Sequence, residues 1–231
     1  MPAVSTATTV GELVVDDPAR ARVFEQLGLD YCCGGKRPLA EACRERGLDP
    51  DTVAAMLNAA EASGVRTGED WSQATLAELC DHIVEAHHGF LRRELPRLST
   101  LLEKVERAHA AQSPALHDVR TVFEELRAEL ESHTEDEERA VFPACRGLDA
   151  GTGGGEELAP RFATLESEHE AAGAHLDRLS ELTGHFDVTQ AFCNTHRAAL
   201  DALRELELDL HEHIHEENNI LVPRALAAAT R

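Results

Sequence analysis

Residues Leu203–Pro223 read LRELELDLHEHIHEENNILVP. An apolar seam runs through them at Leu203, Leu206 and Leu210, and then continues through His213, Glu217 and Ile220. The steps are three, four, three, four and three, which is the spacing of one buried stripe on an α-helix. Leucine holds the early positions of the stripe, but an imidazole and a carboxylate hold the later ones. Residues at i and i+4 present their side chains to the same spot. Burying both polar groups in a helix interior costs several kcal/mol unless something compensates them. A metal ion is the simplest compensation.

The pattern occurs twice. A second seam runs through Val119, Val122, Leu126, Leu130, His133, Glu137 and Val141, again with His and Glu at i and i+4. In each copy a proline follows the histidine by ten positions, at Pro143 and Pro223. One histidine on a core face is ordinarily a core residue with a hydrogen-bond partner. Two copies of the same interruption point to a shared task.

Two further helices carry a histidine in a seam. One is expected over about Thr75–His109, with Val84, His88, Leu91, Leu95, Leu98, Leu102 and Val105 on its buried face and a kink at Pro96. Its neighbour His87 lies off the seam. The other is expected over about Glu157–Gly184, with Leu158, Phe162, Leu165, His169, Ala172, Leu176 and Leu179. The His133 helix starts at Ser113-Pro114 and ends near Gly147, and the His213 helix covers about Thr189–Ala228. GLDAGTGGGEE, after Arg146, reads as a mobile loop. His88 to His133 is 45 positions and His169 to His213 is 44. Such a duplicated hairpin places equivalent residues at one height in an up-down-up-down bundle. Four histidines and two glutamates then converge from four helices.

Imidazole plus carboxylate suits iron, manganese or zinc. Six ligands exceed the four that one zinc takes, but they suit two ions, each with two histidines, bridged by the two glutamates and a solvent-derived oxo or hydroxo group. Di-iron is the first choice and di-manganese the second. The other nine histidines, His82, His87, His109, His117, His175, His185, His196, His211 and His215, fall off the seams or near helix ends and read mostly as solvated. Glu135, Asp136 and Glu138 read as exposed. Glu168 precedes a ligand and is a candidate proton relay.

The chain of 231 residues carries a net charge of −21 and few aromatics. The acidity argues against nucleic acid and anionic membranes as partners, and no apolar run approaches a membrane span. The opening MPAVSTATTVGEL lacks the features of a signal peptide. The expectation is therefore a cytoplasmic, all-α protein with reduced cysteines. Residues 1–65 read as a small helical domain, 66–74 as a linker that includes most of the tract GVRTGED (Gly64–Asp70), itself read as a linker, and 75–231 as the bundle. In the small domain, helices are expected over Val10–Val15 capped by Thr9, Ala19–Leu27 ended by Gly28, Leu39–Arg46 ended by Gly47, and Pro50–Ala62. Between the second and third lies the loop LDYCCGGKRPL. Adjacent Cys32 and Cys33 are too close in sequence to chelate one zinc in the usual way. With Lys36, Arg37 and a helix N-terminus nearby, lowered thiol pKa values and redox or soft-metal chemistry are expected.

Taken together, DYCCGG (Asp30–Gly35), LESEH (Leu165–His169) and HIHEENNILVP (His213–Pro223) resemble the Repair of Iron Centres family, the iron–sulfur cluster repair di-iron proteins of the ScdA and YtfE type. The resemblance covers nearly the whole chain. It implies a small leading domain on a hemerythrin-like bundle, His88, His133, His169 and His213 as terminal iron ligands, and Glu137 and Glu217 as bridges. It also implies repair of iron–sulfur clusters damaged by nitric oxide or peroxide, through iron donation, through reduction of nitric oxide to nitrous oxide, or both, with Cys32 and Cys33 assisting. The adjacent histidines of EAHHGFLRREL leave the first ligand ambiguous by alignment, and the seam favours His88. The implied partners are nitric oxide or oxygen as a small ligand and damaged iron–sulfur proteins as clients, and the reading leaves room for a homodimer. The alternative is a hemerythrin-like module that binds or senses oxygen or nitric oxide. Four histidines rather than a carrier's usual five weigh against that alternative.

Overall fold

The computed structural model describes residues 4–62, 71–151 and 158–230. Among these, helices joined by turns and loops are the regular structure, with one isolated β-bridge between Thr9 and Pro38. The expected linker Gly64–Asp70, most of the glycine-rich tract after Gly151 and Glu157 lie outside the described residues.

The N-terminal helices are α1 (Val10–Asp16), α2 (Ala21–Leu27), α3 (Leu39–Glu45) and α4 (Pro50–Ala62). Thr9 and Glu12 form a reciprocal capping box on α1. Gly28 closes α2 at φ 63°, a left-handed conformation that favours glycine. The expected helix from Ala19 is split, because Pro18–Arg20 winds as a 3-10 turn before α2. Val10, Phe24, Leu39, Cys43 and Leu57 are fully buried in a core of their own.

Four long rods make the bundle. The first is α5 (Leu76–Ile83), a π-turn at Val84–His88 and α6 (Gly89–His109). The second is α7 (Ala115–Asp136), a π-turn at Glu137–Val141 and α8 (Phe142–Asp149). The third is α9 (Leu158–Leu182). The fourth is α10 (Asn194–His215), a π-turn at Glu216–Leu221 and α11 (Val222–Ala229). Thr75 and Glu78 cap α5 with a second capping box. The last rod starts five residues later than expected. Asp187 accepts from the Thr189 amide and hydroxyl, which holds a separate 3-10 turn at Val188–Gln190.

Each of the three π-turns carries one of the six candidate ligands: His88, Glu137 and Glu217. A π-turn inserts one residue into the helix and is a common mark of functional positions. In the second and fourth rods the cause is legible, since Pro143 and Pro223 follow directly. Proline has no N–H and crowds the carbonyl four residues back, which here falls within the π-turn. In the first rod α6 continues through Pro96, and the departure from α-helical winding lies eight residues earlier, at His88.

Closest packing runs α10–α6–α7–α9. Leu98, Phe123, Leu126, Leu179 and Leu206 fill the middle of the bundle. On the fourth side α9 and α10 flank a groove that also borders the Asp30–Arg37 loop. The N-terminal unit docks there. Asn219 Nδ2 donates to Cys32 O at 3.2 Å and His211 Nδ1 lies 2.8 Å from Glu25 Oε1, while Gly11 N holds the loop from within the unit by donating to Gly35 O at 2.9 Å. A Cβ on Gly35 would stand 2.2 Å from Asn219 Oδ1, so glycine is needed for this approach.

Candidate metal centre

Six side chains predicted from the seams meet at one end of the bundle. His88, His133, His169, His213, Glu137 and Glu217 are all buried, and Glu217 and His88 are fully so. They form two overlapping groups: His88, Glu137, His213 and Glu217, and His133, Glu137, His169 and Glu217. Each glutamate divides its oxygens between the groups. Glu137 places Oε2 3.3 Å from His88 Nε2 and Oε1 3.4 Å from His133 Nε2. Glu217 places Oε1 3.2 Å from His213 Nε2 and Oε2 3.0 Å from His169 Nε2.

The outer ring nitrogens fix the protons. His88 Nδ1 donates to Glu138 at 2.7 Å, His133 Nδ1 to Glu168 at 2.7 Å, and His169 Nδ1 to Asn218 Oδ1 at 2.9 Å. These oxygens only accept, so in the neutral ring each Nδ1 carries the proton and Nε2 is bare. His133 Nε2 and His169 Nε2 nevertheless lie 3.2 Å apart. Both Glu137 oxygens, Glu217 Oε2 and His88 Nε2 are buried without a hydrogen-bond partner. Lone pairs thus face lone pairs in a dry core, an arrangement that bound cations would relieve. Two ions, each taking two imidazoles and one oxygen from either carboxylate, fit this donor set.

The protonation behaviour without ions says the same. Burial and the facing Glu217 charge push Glu137 well above the usual carboxylate range. Burial acts upward on Glu217 too, but the His213 and His169 imidazoles outweigh it and hold Glu217 low. Burial and neighbouring His213 lower His88 to about 4. Burial also lowers His133. A cation would take the lowered His88 and His133 imidazoles directly and would displace the proton that Glu137 holds.

The residue model of the hemerythrin HHE cation binding domain matches residues 80–225, and that of the ScdA N-terminal domain, described as of unknown function, matches residues 6–61. The iron–sulfur cluster repair protein YtfE of Pectobacterium carotovorum is 37% identical over 94% of this chain and 96% of its own length. The YtfE protein of Yersinia pestis is 36% identical over the same shares. The chain belongs to the YtfE iron–sulfur cluster repair family. Its fold is accordingly that of the family resemblance: an all-α chain with a helical N-terminal unit on a hemerythrin-like bundle. Its bundle is a cation-binding domain with buried histidine and glutamate clusters of the kind that bind iron. No described helix is long and apolar enough to cross a membrane.

Several surroundings differ from expectation. Glu138 is not a fully exposed residue, since it is two-thirds buried between His88 and Arg92. Glu168 is half exposed while bonded to His133, so it links the centre to solvent. His87, His196 and His215 are buried rather than solvated. His87 Nδ1 lies 3.0 Å from Asp209, His196 Nδ1 accepts from the Phe192 amide at 3.2 Å, and His215 lies against Tyr31 O. His211 pairs with Glu25 at 2.8 Å. The spacing His211–His215–Asn219 was the available signal: a second face of the same helix, used for docking the N-terminal unit.

The thiols also differ. Cys32 is buried with its Sγ 3.9 Å from Cys33 Sγ and 3.3 Å from Asp30 Oδ1. Hydrogen bonding to Cys33, burial and the Cys33 and Asp30 charges push its pKa up, not down. The cations expected to lower it are engaged elsewhere: Lys36 with Glu166, and Arg37 with Glu45 and Asp30. Cys33 is the more exposed thiol, and its Sγ reaches the His169 carbonyl oxygen at 3.5 Å. The six cysteines are unpaired.

Proposed function

We propose that this protein repairs iron–sulfur clusters damaged by nitrosative or oxidative stress, using a carboxylate-bridged di-iron centre. His88 and His213 hold one position, His133 and His169 the other, and Glu137 and Glu217 bridge. The observation that carries this is the convergence of bare imidazole nitrogens on two carboxylates whose oxygens are divided between the two groups. When bound, the iron pair supplies adjacent redox-active Lewis-acid positions for nitric oxide reduction, and a store of ferrous ion for donation.

The chain's own residues then have distinct tasks. Glu138, Glu168 and Asn218 hold three imidazoles by Nδ1, fixing tautomer and ring orientation. Phe142 stacks on the His88 ring and keeps water from that side. Glu168, bonded to His133 and half exposed, carries protons between solvent and the centre. Cys33, behind the His169 backbone, and Cys32 beside it supply electrons or a transient soft position for iron. The domain division at 1–65, 66–74 and 75–231 is part of this reading, with the first unit bringing the thiols to the second. The clients are iron–sulfur proteins, and the small ligand is nitric oxide or oxygen.

The test is anaerobic reaction of the ferrous protein with nitric oxide, alongside incubation with an oxidatively damaged iron–sulfur protein. Nitrous oxide formation or recovery of the cluster, lost in Glu217→Gln, is expected. Neither product from iron-loaded protein would overturn the proposal.

A further inference from the structure

A second cluster of ligand atoms lies beside the bimetallic centre, on the flank between the first and fourth rods. His82 Nε2 stands 3.3 Å from Glu216 Oε2, and His87 Nε2 stands 3.6 Å from the same oxygen. The three ligand atoms lie within 4.8 Å of one another. Separations of 3.3 and 3.6 Å fit bonds of roughly 2.0–2.2 Å to one ion.

The proton arrangement at His87 repeats the logic of the main centre. His87 Nδ1 donates to Asp209 at 3.0 Å, so the ring turns Nε2 toward the Glu216 carboxylate, where a cation would replace the Nε2 proton. His87 and Glu216 are both more than nine-tenths buried, and neither His87 Nε2 nor Glu216 Oε2 has a hydrogen-bond partner. A carboxylate–histidine pair aiming the other ring nitrogen at a shared point is how a metal-binding imidazole is oriented. Trp71 stacks on His82 at 4.1 Å and fixes that ring.

We infer that His82, His87 and Glu216 form a third, mononuclear site for a divalent transition-metal cation, of the two-histidine, one-carboxylate type suited to ferrous ion. It serves as a staging position for ions passing to and from the bimetallic centre, and this role rests on the iron-donation reading above. Two features support the route. A cavity of about 270 Å³, open to the outside, is bordered by Trp71, Glu212 and the cluster's own Glu216. Asp209, Glu212 and Glu216 recur at three and four positions along one side of the fourth rod, an acidic ladder that attracts cations. Inward, the His87 ring stacks parallel on His213, 5.1 Å between centroids, so one imidazole layer separates the two sites. The corresponding places in the other hairpin hold Ala163, Glu168 and Asp136, which cannot form such a set.

A proton on His87 is the competing occupant, since Asp209 and Glu216 outweigh burial and raise its pKa to about 10. The test is anaerobic titration of the metal-free full-length protein with cobalt(II), read by equilibrium dialysis and visible absorption, and repeated with ferrous ion. Three ions per chain are expected in the natural protein. His82→Ala and Glu216→Gln each reduce the count to two, or weaken the third ion at least roughly 10–100-fold, while the absorption of the first two ions is unchanged. His133→Ala depletes the first two and spares the third. Two ions in the natural protein, both insensitive to His82→Ala, would overturn the third site and leave the bimetallic reading intact. A third ion that neither His82→Ala nor Glu216→Gln displaces would place it elsewhere and overturn the proposal. Fewer than two ions would sink the bimetallic reading and this one with it.

Discussion

The two hairpins of the bundle match in their inner faces and differ behind them. Each contributes two histidines and one glutamate at equivalent heights, and each glutamate divides its oxygens across the same gap. Behind that layer the likeness ends. His88 is held by a two-thirds-buried Glu138 that also binds Arg92, His133 by a half-exposed Glu168, His169 by an amide, and His213 Nδ1 is buried with no partner. One flank carries His82, His87 and Glu216, and the other carries Glu168 and the Cys33 loop. In the proposed di-iron reading, metal retention falls to the repeated layer, traffic of protons, electrons and ions falls to the unrepeated one, and the two metal positions are chemically inequivalent.

The largest break comes from the shared carboxylates. In the proposed bridging arrangement, Glu137→Gln or Glu217→Gln strips a bridge from both positions, and the iron held there after desalting should fall from two ions per chain to well under one. The loss in affinity exceeds the roughly 10–100-fold typical of an orienting partner. If either variant keeps one tightly held ion, the carboxylate serves one position rather than both.

Removing the metal comes next. At ligand a thousandfold above Kd, binding stabilises the folded chain by about 4 kcal/mol. For a domain of this size that corresponds to roughly 10 °C in Tm. Calorimetry of iron-loaded and metal-free protein measures it, and equal Tm values would mean that the buried histidines and glutamates are satisfied without ions.

The outer layer should show smaller, unequal effects. Glu138→Gln should weaken iron roughly 10–100-fold in chelator competition. Glu168→Gln should cost less affinity, since its carboxylate is half solvated, but should change the pH profile of turnover. Identical behaviour of the two variants would remove the contrast between flanks.

Docking separates from binding. Gly35→Ala forces a Cβ to 2.2 Å from Asn219 Oδ1. The Cys32–Cys33 loop should lift from α9, raising thiol reactivity toward a maleimide, while iron content stays at two. Loss of iron in that variant would show that the N-terminal unit helps to hold the centre.

The smallest effect lies at the far end of the bundle. Hydrogen bonds from His117 and Arg120 hold the Glu106 carboxyl below its ordinary value. A lowered carboxylate contributes stability that is present above the ordinary glutamate pKa of about 4.3 and is lost as pH falls through the folded value. Glu106→Gln should therefore cost less than about 1 kcal/mol at neutral pH and nothing in strong acid, with iron binding untouched.

Much of this was legible in the sequence. Two seams that change from leucine to histidine and glutamate, and two more that carry a single histidine, at near-equal spacing, specified four rods and the six inward residues, because helical periodicity decides which side chains share a face. The outer layer was less legible. Glu138 and Glu168 lie next to ligands but reach across to histidines of other helices, and pairing between helices depends on rotation and height that no single periodicity encodes. His87 was set aside for lying off the seam, yet a π-turn at Val84–His88 and its stacking on His213 bury it. Cys32 was expected to have a lowered pKa because Lys36 and Arg37 are near in sequence, but both cations point to other carboxylates. Sequence proximity identified the charges and not their partners.

Anomalous scattering at the iron absorption edge, from crystals of iron-loaded protein, tests the central claim most directly. Two peaks are expected about 3.5–4 Å apart, one beside His88 and His213, the other beside His133 and His169, with Glu137 and Glu217 between them. A single peak among these six side chains, or none, would contradict the account; a separate peak at His82, His87 and Glu216 would bear only on the third site.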